Sequence, residues 1–255
     1  MADQTGKLGH DSGHETEAEF LRDYRKTEYP KPSVTVDLVI FTVTDTDLKV
    51  LLIKRKGHPF KGQWAIPGGF VDVGDVHDDQ GESVEDAAHR ELAEETGLPI
   101  GSCYLEQLYT FGNPGRDPRM RVITVAYYAL ISPDKAPLVH AGDDAADAQW
   151  FSVDGLSELA FDHDEILAMA VRRIRGKIDY TDIAFELVPR TFTVAELRSV
   201  HEAIKGISYD AANFRRRFRR MVTDGIIEQA RGKRLTGGKP AKVYRFRRRA
   251  EGNSP

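Results

Sequence analysis

From Ser33 to Thr44 the chain is β-branched and apolar, which predicts a strand. A second such run, Val50–Arg55, pairs with it across a turn at Asp45-Thr46-Asp47. Trp64–Val71 is a further extended segment, broken by Gly68-Gly69. The pattern then changes period. Glu82 to Leu98 reads as a helix that starts at a Ser83/Asp86 capping box and stops at Gly97, a residue suited to the left-handed conformation. Cys103–Phe111 and Arg121–Ile131 return to strand patterning, joined by a loop rich in Gly and Pro, and Gln149–Ser152 makes a last short strand. Asp162 is an N-cap with Glu165 three residues on, opening a helix to about Arg175. A short amphipathic helix around Glu17–Lys26, ended by Pro30-Lys31-Pro32, precedes the first strand. Strands around one helix, with another on the far side, describe a mixed sheet between helices, an α/β (α+β) architecture.

Residues 179 to 192 read as the passage to a second module. Thr193, with Glu196 three residues on, caps a helix to about Ile204; Gly206-Ile207-Ser208 turns into a second helix, about Asp210 to Thr223. Ile226–Ala230 and Lys242–Phe246 are paired strands around the loop 231–241. Helix, turn, helix and hairpin follow the order of a winged helix-turn-helix. At 100° per residue, Ala211, Phe214, Phe218 and Met221 form the core-facing stripe of the second helix. Tyr209, Asn213, Arg216, Arg219 and Arg220 point away, and Arg215 and Arg217 flank the boundary. First-turn residues Tyr209, Ala212, Asn213 and Arg216 are the base-reading candidates, since Arg pairs with guanine and Asn with adenine. The later arginines suit phosphates, as do Lys233 and Arg234 in the wing. A solvated basic face, or a helix on an anionic membrane, is the competing reading; the basic wing beside the helix favours double-stranded DNA.

Charge separates the same two regions. Residues 190–255 hold 17 Lys and Arg against 6 Asp and Glu, net +11, while the rest hold 19 against 34, net −15. Such a split implies modules with different partners, the basic one suited to a polyanion. The boundaries expected are a disordered tail 1–16, an effector-binding domain 17–178 and a DNA-binding domain 179–250. One cysteine, Cys103, excludes an internal disulfide and fits a cytoplasmic protein; no apolar run is long enough to span a membrane, and the N-terminus lacks a signal-peptide core. His10 and His14 lie in the expected tail, where two histidines are more often solvated than metal-bound.

The helix near residues 82–98 carries the chemistry. Glu91 and Glu95 lie one turn apart with Glu94 beside them, and Arg90 is placed to fork onto Glu94. Clustered carboxylates suit a hard cation such as Mg²⁺, though a solvated acidic face is the plain alternative. From Glu82 to Leu98 every position resembles the Nudix box: Glu, seven residues, Arg90-Glu91-apolar-x-Glu94-Glu95-x-Gly97-apolar. One departure precedes it. Residues 70 to 81 separate Gly69 from Glu82, seven more than the box pattern, and include Asp75, Asp78 and Asp79. An insertion of that size either bulges outward or displaces Glu82.

With the winged helix added, the chain resembles the Nudix-related transcriptional regulators of NAD metabolism. The likeness rests on Leu52-Ile-Lys54-Arg55, Trp64-Ala-Ile-Pro-Gly-Gly-Phe70, the box, Arg116-Asp-Pro-Arg119, Leu159-Ala-Phe-Asp-His163, Phe192-Thr-Val-Ala-Glu-Leu197 and Asn213-Phe-Arg-Arg216. It implies a Nudix αβα sandwich that binds ADP-ribose, a DNA-bound homodimer released by that ligand, and little or no hydrolase activity in many members. In an active member Glu82, Arg90, Glu91, Glu94 and Glu95 would serve an ADP-ribose pyrophosphatase, with Mg²⁺ on Glu91, Glu94 and Glu95. Arg55, Arg116 and Arg119, with Gly68, Gly69 and Phe70, are the effector-binding candidates; Arg116 and Arg119 either reach the ligand or fix their loop by pairing with Asp117. Trp64 and Phe70 are ring-stacking or core residues, His163 belongs to a helix start, and His89 is structural.

Overall fold

The computed structural model describes residues 16, 17, 19, 30–74, 81–136, 145–156, 158–236 and 239–247. Of the helix expected near residues 17–26, only the start lies within the described residues. There Thr16 and Glu19 exchange reciprocal bonds: Thr16 N donates to Glu19 Oε2 (3.1 Å) and Glu19 N to Thr16 Oγ1 (3.2 Å).

The chain then makes β1 (Ser33–Thr44), β2 (Asp47–Arg55), β3 (Trp64–Ala65), β4 (Gly68–Phe70), α1 (Val84–Thr96), β5 (Tyr104–Phe111), β6 (Val122–Leu130), β7 (Ala145–Ser152) and α2 (His163–Lys177). A 3-10 turn, Ile183–Leu187, leads to α3 (Val194–Lys205), α4 (Ala211–Thr223), β8 (Ile227–Thr236) and β9 (Lys239–Phe246). β1 lies parallel to β6 and antiparallel to β2, while β5 closes the other edge antiparallel to β6. β7 is longer than expected and pairs along β2. The turn between β1 and β2 has positive φ at Asp45 and Thr46, as a tight hairpin turn demands.

Alternation along the central strands builds two cores. Val36, Leu38 and Ile40 of β1 join Tyr127 and Ala129 of β6 beneath Ala87, Ala88 and Leu92 of α1. Val39, Phe41 and Val43 point the other way, with Tyr128 and Leu130, onto α2. This is a helix-sheet-helix sandwich.

The second core does not stop at α2. Ile183, Ala184, Leu187, Val188 and Phe192 are buried in it, followed by Leu197, Val200 and Ile204 of α3, Phe214 and Phe218 of α4, and Ile227 of β8. The described residues from Ser33 to Arg247 belong to one compact unit. The stretch 179–192, expected as a passage between modules, is instead packed interior. Its apolar residues follow neither a helical nor a strand period, so the sequence does not mark them as core.

Polar contacts reinforce the junction. Arg175 Nε donates to Ile204 O (2.8 Å), and Lys205 Nζ bonds Asp179 Oδ2 (2.5 Å) and Arg175 O (3.2 Å). The α3 cap forms as expected: Thr193 and Glu196 make both bonds of a capping box, and Gly206 ends the helix at φ 66°.

Candidate functional site

The box helix begins where the pattern placed it. Ser83 accepts from Asp86 N, and Gly97 terminates the helix in the left-handed conformation at φ 68°. The insertion before it is closed at its base. Glu82 N donates to Asp72 O (3.0 Å) and Asp72 N to Glu82 Oε1 (2.9 Å). Gly81 sits in this pinch at φ 76°, where a Cβ would come 2.0 Å from Asp72 O. Asp75, Asp78 and Asp79 lie outside the described residues. Glu82 is therefore held in register with the helix, not displaced.

Arg90 is the centre of the box. Its guanidinium forks onto Glu82, with Nε to Oε2 at 3.1 Å and a terminal nitrogen to Oε1 at 2.6 Å. The expected fork to Glu94 is corrected: Glu94 receives one 3.2 Å contact, and Glu91 a shorter one at 2.7 Å. Arg90 also donates to Phe70 O (3.1 Å), tying α1 to β4. Glu91 and Glu95 are buried, and Glu94 is exposed. Burial pushes the Glu91 carboxyl above its ordinary range despite the neighbouring Arg90.

The residues proposed for ligand contact converge on one cleft of about 980 Å³. Arg55, Gly68, Gly69, Phe70, Arg116 and Arg119 all line it, together with Arg90, Glu91, Glu94 and Glu95. β1 and β2, β4, α1 and the loop after β5 contribute its walls. A pocket of this size accommodates a molecule as large as a dinucleotide.

Within the wall the arginines divide into two roles. Arg116 is only 6 % exposed at its side chain; it forks onto Asp162 (2.9 and 2.7 Å) and reaches Asp37 (3.1 Å). It clamps β1 to the start of α2, and its partners are Asp37 and Asp162, not Asp117. Asp162 consequently makes no capping bond to α2, contrary to expectation. Arg119 does pair with Asp117, by two side-chain bonds at 3.0 and 2.7 Å, and stays 40 % exposed. Arg55 lies over the Phe161 ring at 4.8 Å and donates to Pro59 O. Burial lowers its pKa, and the like charge of Arg119 lowers it further. Two guanidiniums close enough to repel each other at a cleft surface form a receptor for an anion.

Asp37, Phe161 and His163 are the residues missed. The sequence held one signal for Asp37, the lone charge inside an apolar strand. His163 is buried, accepts from Ile66 N through Nδ1 (3.0 Å) and places Nε2 3.9 Å from Asp37 Oδ1. Burial holds it neutral, with Nε2 carrying the hydrogen. Phe161 takes φ 57° and stacks edge-on against Phe60. Trp64 packs on Phe151 at 4.7 Å outside the cleft, the core role.

Carboxylate oxygens suit Mg²⁺, and Glu91, Glu94 and Glu95 on the cleft wall are the residues that would hold it. As they stand, no three His, Cys, Asp or Glu side chains among the described residues group closely enough to hold an ion. Arg90 pairs with Glu82, Glu91 and Glu94, one positive charge among three carboxylates.

On the winged helix, Phe214 and Phe218 are buried, Ala211 and Met221 half-buried, and Asn213, Arg215, Arg216, Arg219 and Arg220 exposed. Arg217 is half-buried at the boundary. Arg216 donates to Asn213 Oδ1, which braces the pair. Two other candidate side chains have partners within the protein. Tyr209 packs edge-on against Phe214 and His201 rather than standing open, because the turn after Gly206 folds it onto the core. Arg234 is taken by Glu196 (2.6 Å) and Thr191 O (2.9 Å), tying the wing to the start of α3. Lys233 remains exposed.

Residues 34–170 match the NUDIX domain, and residues 184–246 match the NrtR DNA-binding winged helix domain. The chain belongs to the NrtR family of Nudix-related transcriptional regulators. It is 38 % identical over 235 residues to the ADPR responsive transcriptional repressor NtrR of Acinetobacter baylyi, covering 91 % of this chain and 88 % of that one. Shewanella oneidensis NrtR complexed with a 27mer DNA is similar at 35 % identity and TM-score 0.71, covering 84 % and 93 %. The NUDIX domain of that NrtR, complexed with ADP ribose, matches at 36 % identity and TM-score 0.51, covering 62 % and 99 %. An ADP-ribose pyrophosphatase of Methanocaldococcus jannaschii is 42 % identical over 156 residues, 61 % of this chain and 82 % of that one. No helix among the described residues is long and apolar enough to cross a membrane.

Proposed function

We propose that this chain is an ADP-ribose-responsive repressor of NAD biosynthesis or salvage genes, which binds operator DNA as a dimer and leaves it when ADP-ribose enters the cleft. One observation carries the reading. Helix α2 begins in the cleft wall and ends on the helix-turn-helix. Its first residue, His163, and the two before it, Phe161 and Asp162, contact the β1, β2 and β3 region. Its last turn, through Arg175, holds the C-terminus of α3. A ligand diphosphate between Arg55 and Arg119 would press on Phe161 and the Arg116 clamp, and so on α2. A coupling of about 1–3 kcal/mol is ordinary for such a switch.

The test is operator binding by the full-length protein with and without ADP-ribose, on DNA from upstream of its own gene and of NAD genes. Retardation that weakens as ADP-ribose saturates is expected. Unchanged DNA affinity at saturating ADP-ribose, with binding of the nucleotide shown by calorimetry, would remove the sensor reading.

A second reading, an ADP-ribose pyrophosphatase, is favoured by the complete box, by Glu82 held in place and by the archaeal relative. Chromatography of ADP-ribose incubated with protein and Mg²⁺ separates the two. Turnover of about 1 s⁻¹ or faster, within the usual enzyme range, would establish hydrolysis.

A further inference from the structure

The wing carries a feature that phosphate binding leaves unexplained. Leu235 is 73 % exposed, the most exposed large apolar side chain between β8 and β9. Its cross-strand partner is Pro240, also exposed. Two positions back along each strand, Lys233 stands opposite Lys242, and both are exposed. Residues two apart on a strand, and residues directly opposite in an antiparallel pair, share a face. Lys233, Leu235, Pro240 and Lys242 therefore make one surface, apolar at the tip and cationic behind it.

Both halves of that surface are unfavourable for the protein alone. An exposed leucine with a proline beside it gains nothing from water. Like charges directly opposite each other across a hairpin repel. A polyanion with an apolar interior offsets both, and duplex DNA is one: lysines meet the phosphates of the two strands while a leucine enters between bases. Bonds at the root of the hairpin fix where this tip stands. Arg234 is bonded to Glu196 and Thr191, and Tyr244 pairs with Phe192 in both directions (2.8 and 2.7 Å). A wedge anchored in this way at its root can transmit force to a base step.

We propose that Leu235, backed by Pro240 and flanked by Lys233 and Lys242, is an apolar wedge that enters the DNA minor groove and partly unstacks one base step. The proposal rests on the repressor reading and deepens it. Specificity then has a second source besides α4: flexible pyrimidine–purine steps are cheapest to open, so the wing selects sequence by deformability.

The test uses the full-length protein and a duplex it selects from a random-sequence library. Leu235→Ala is expected to weaken binding about tenfold, to leave the slope of log K against log salt unchanged, and to reduce the bend reported by energy transfer between the duplex ends. Lys233→Ala is expected to lower that slope by about 1 and to preserve the bend. Leu235→Met should restore most of the affinity, and every variant should bind ADP-ribose normally by calorimetry. A Leu235→Ala protein that binds and bends the selected duplex like the parent overturns the wedge. So does one whose only change is in self-association, since Leu235 would then lie between copies. A parent protein that selects no duplex would overturn the repressor reading along with it.

Discussion

A Cβ at position 69 would lie 2.0 Å from Glu91 Oε1, so the bare backbone of β4 and the buried carboxylate of α1 define one another. Gly69→Ala is expected to cost about 1–3 kcal/mol by overpacking, read from the urea midpoint, and to weaken ADP-ribose binding as Glu91 is driven from the wall. His201 shows the other residue-scale constraint. It is buried between Tyr209 and Phe214, and burial drives its pKa from 6.5 to about 4. Between those values the unfolded chain binds a proton that the folded one refuses. Stability is thus full above about pH 6.5 and falls as the pH drops toward 4. His201→Leu should flatten this dependence, measured by urea unfolding at pH 7 and pH 5.

At the scale of elements, α2 is the part with two addresses. The Arg175 guanidinium donates to the α3 C-terminus at Ile204 O, while its backbone carbonyl accepts from Lys205 Nζ. Arg175→Ala is expected to keep operator affinity and ADP-ribose affinity each within about threefold, and to shrink the effect of one on the other. Fluorescence anisotropy on labelled operator, titrated with ADP-ribose, reads that coupling; an undiminished effect would place the relay elsewhere. The elements themselves were legible where local chemistry is strong. The Ser83 and Thr193 caps, the Gly97 and Gly206 stops and the Asp45–Thr46 turn all form, since each depends on neighbours within four residues. Asp162 failed as a cap because Arg116, 46 residues away in sequence, offered its carboxylate a stronger partner.

For the whole molecule the decisive feature is the shared core. Ile183, Leu187 and Phe192 bridge the sheet to α3 and α4, so neither module closes its interior alone. Unfolding is expected to be one transition, coincident whether followed by the fluorescence of Trp64 and Trp150 or by amide exchange in α4. A winged helix that melts separately, at lower urea, would contradict this. Continuity also gives the proposed switch its mechanism, because a strain at the cleft cannot be absorbed by a slack linker.

The sequence by itself determined the strand and helix pattern, the two-module order, the box, the arginines of the cleft and the exposed face of α4. All but the arginines rest on period, caps and spacing, which are local properties; the cleft arginines came from the resemblance to the family. Only the tertiary structure decided how each charged group is used. Arg116, Arg119 and Arg234 are alike in sequence, yet the first is a buried clamp, the second lies half-open at the cleft and the third is tied to the wing root. The same holds for Glu82 after the insertion, which keeps its place because it bonds Asp72 across the base. A charge takes its role from the partners that folding brings within hydrogen-bond reach, and for Arg116 and Arg234 those partners lie tens of residues away.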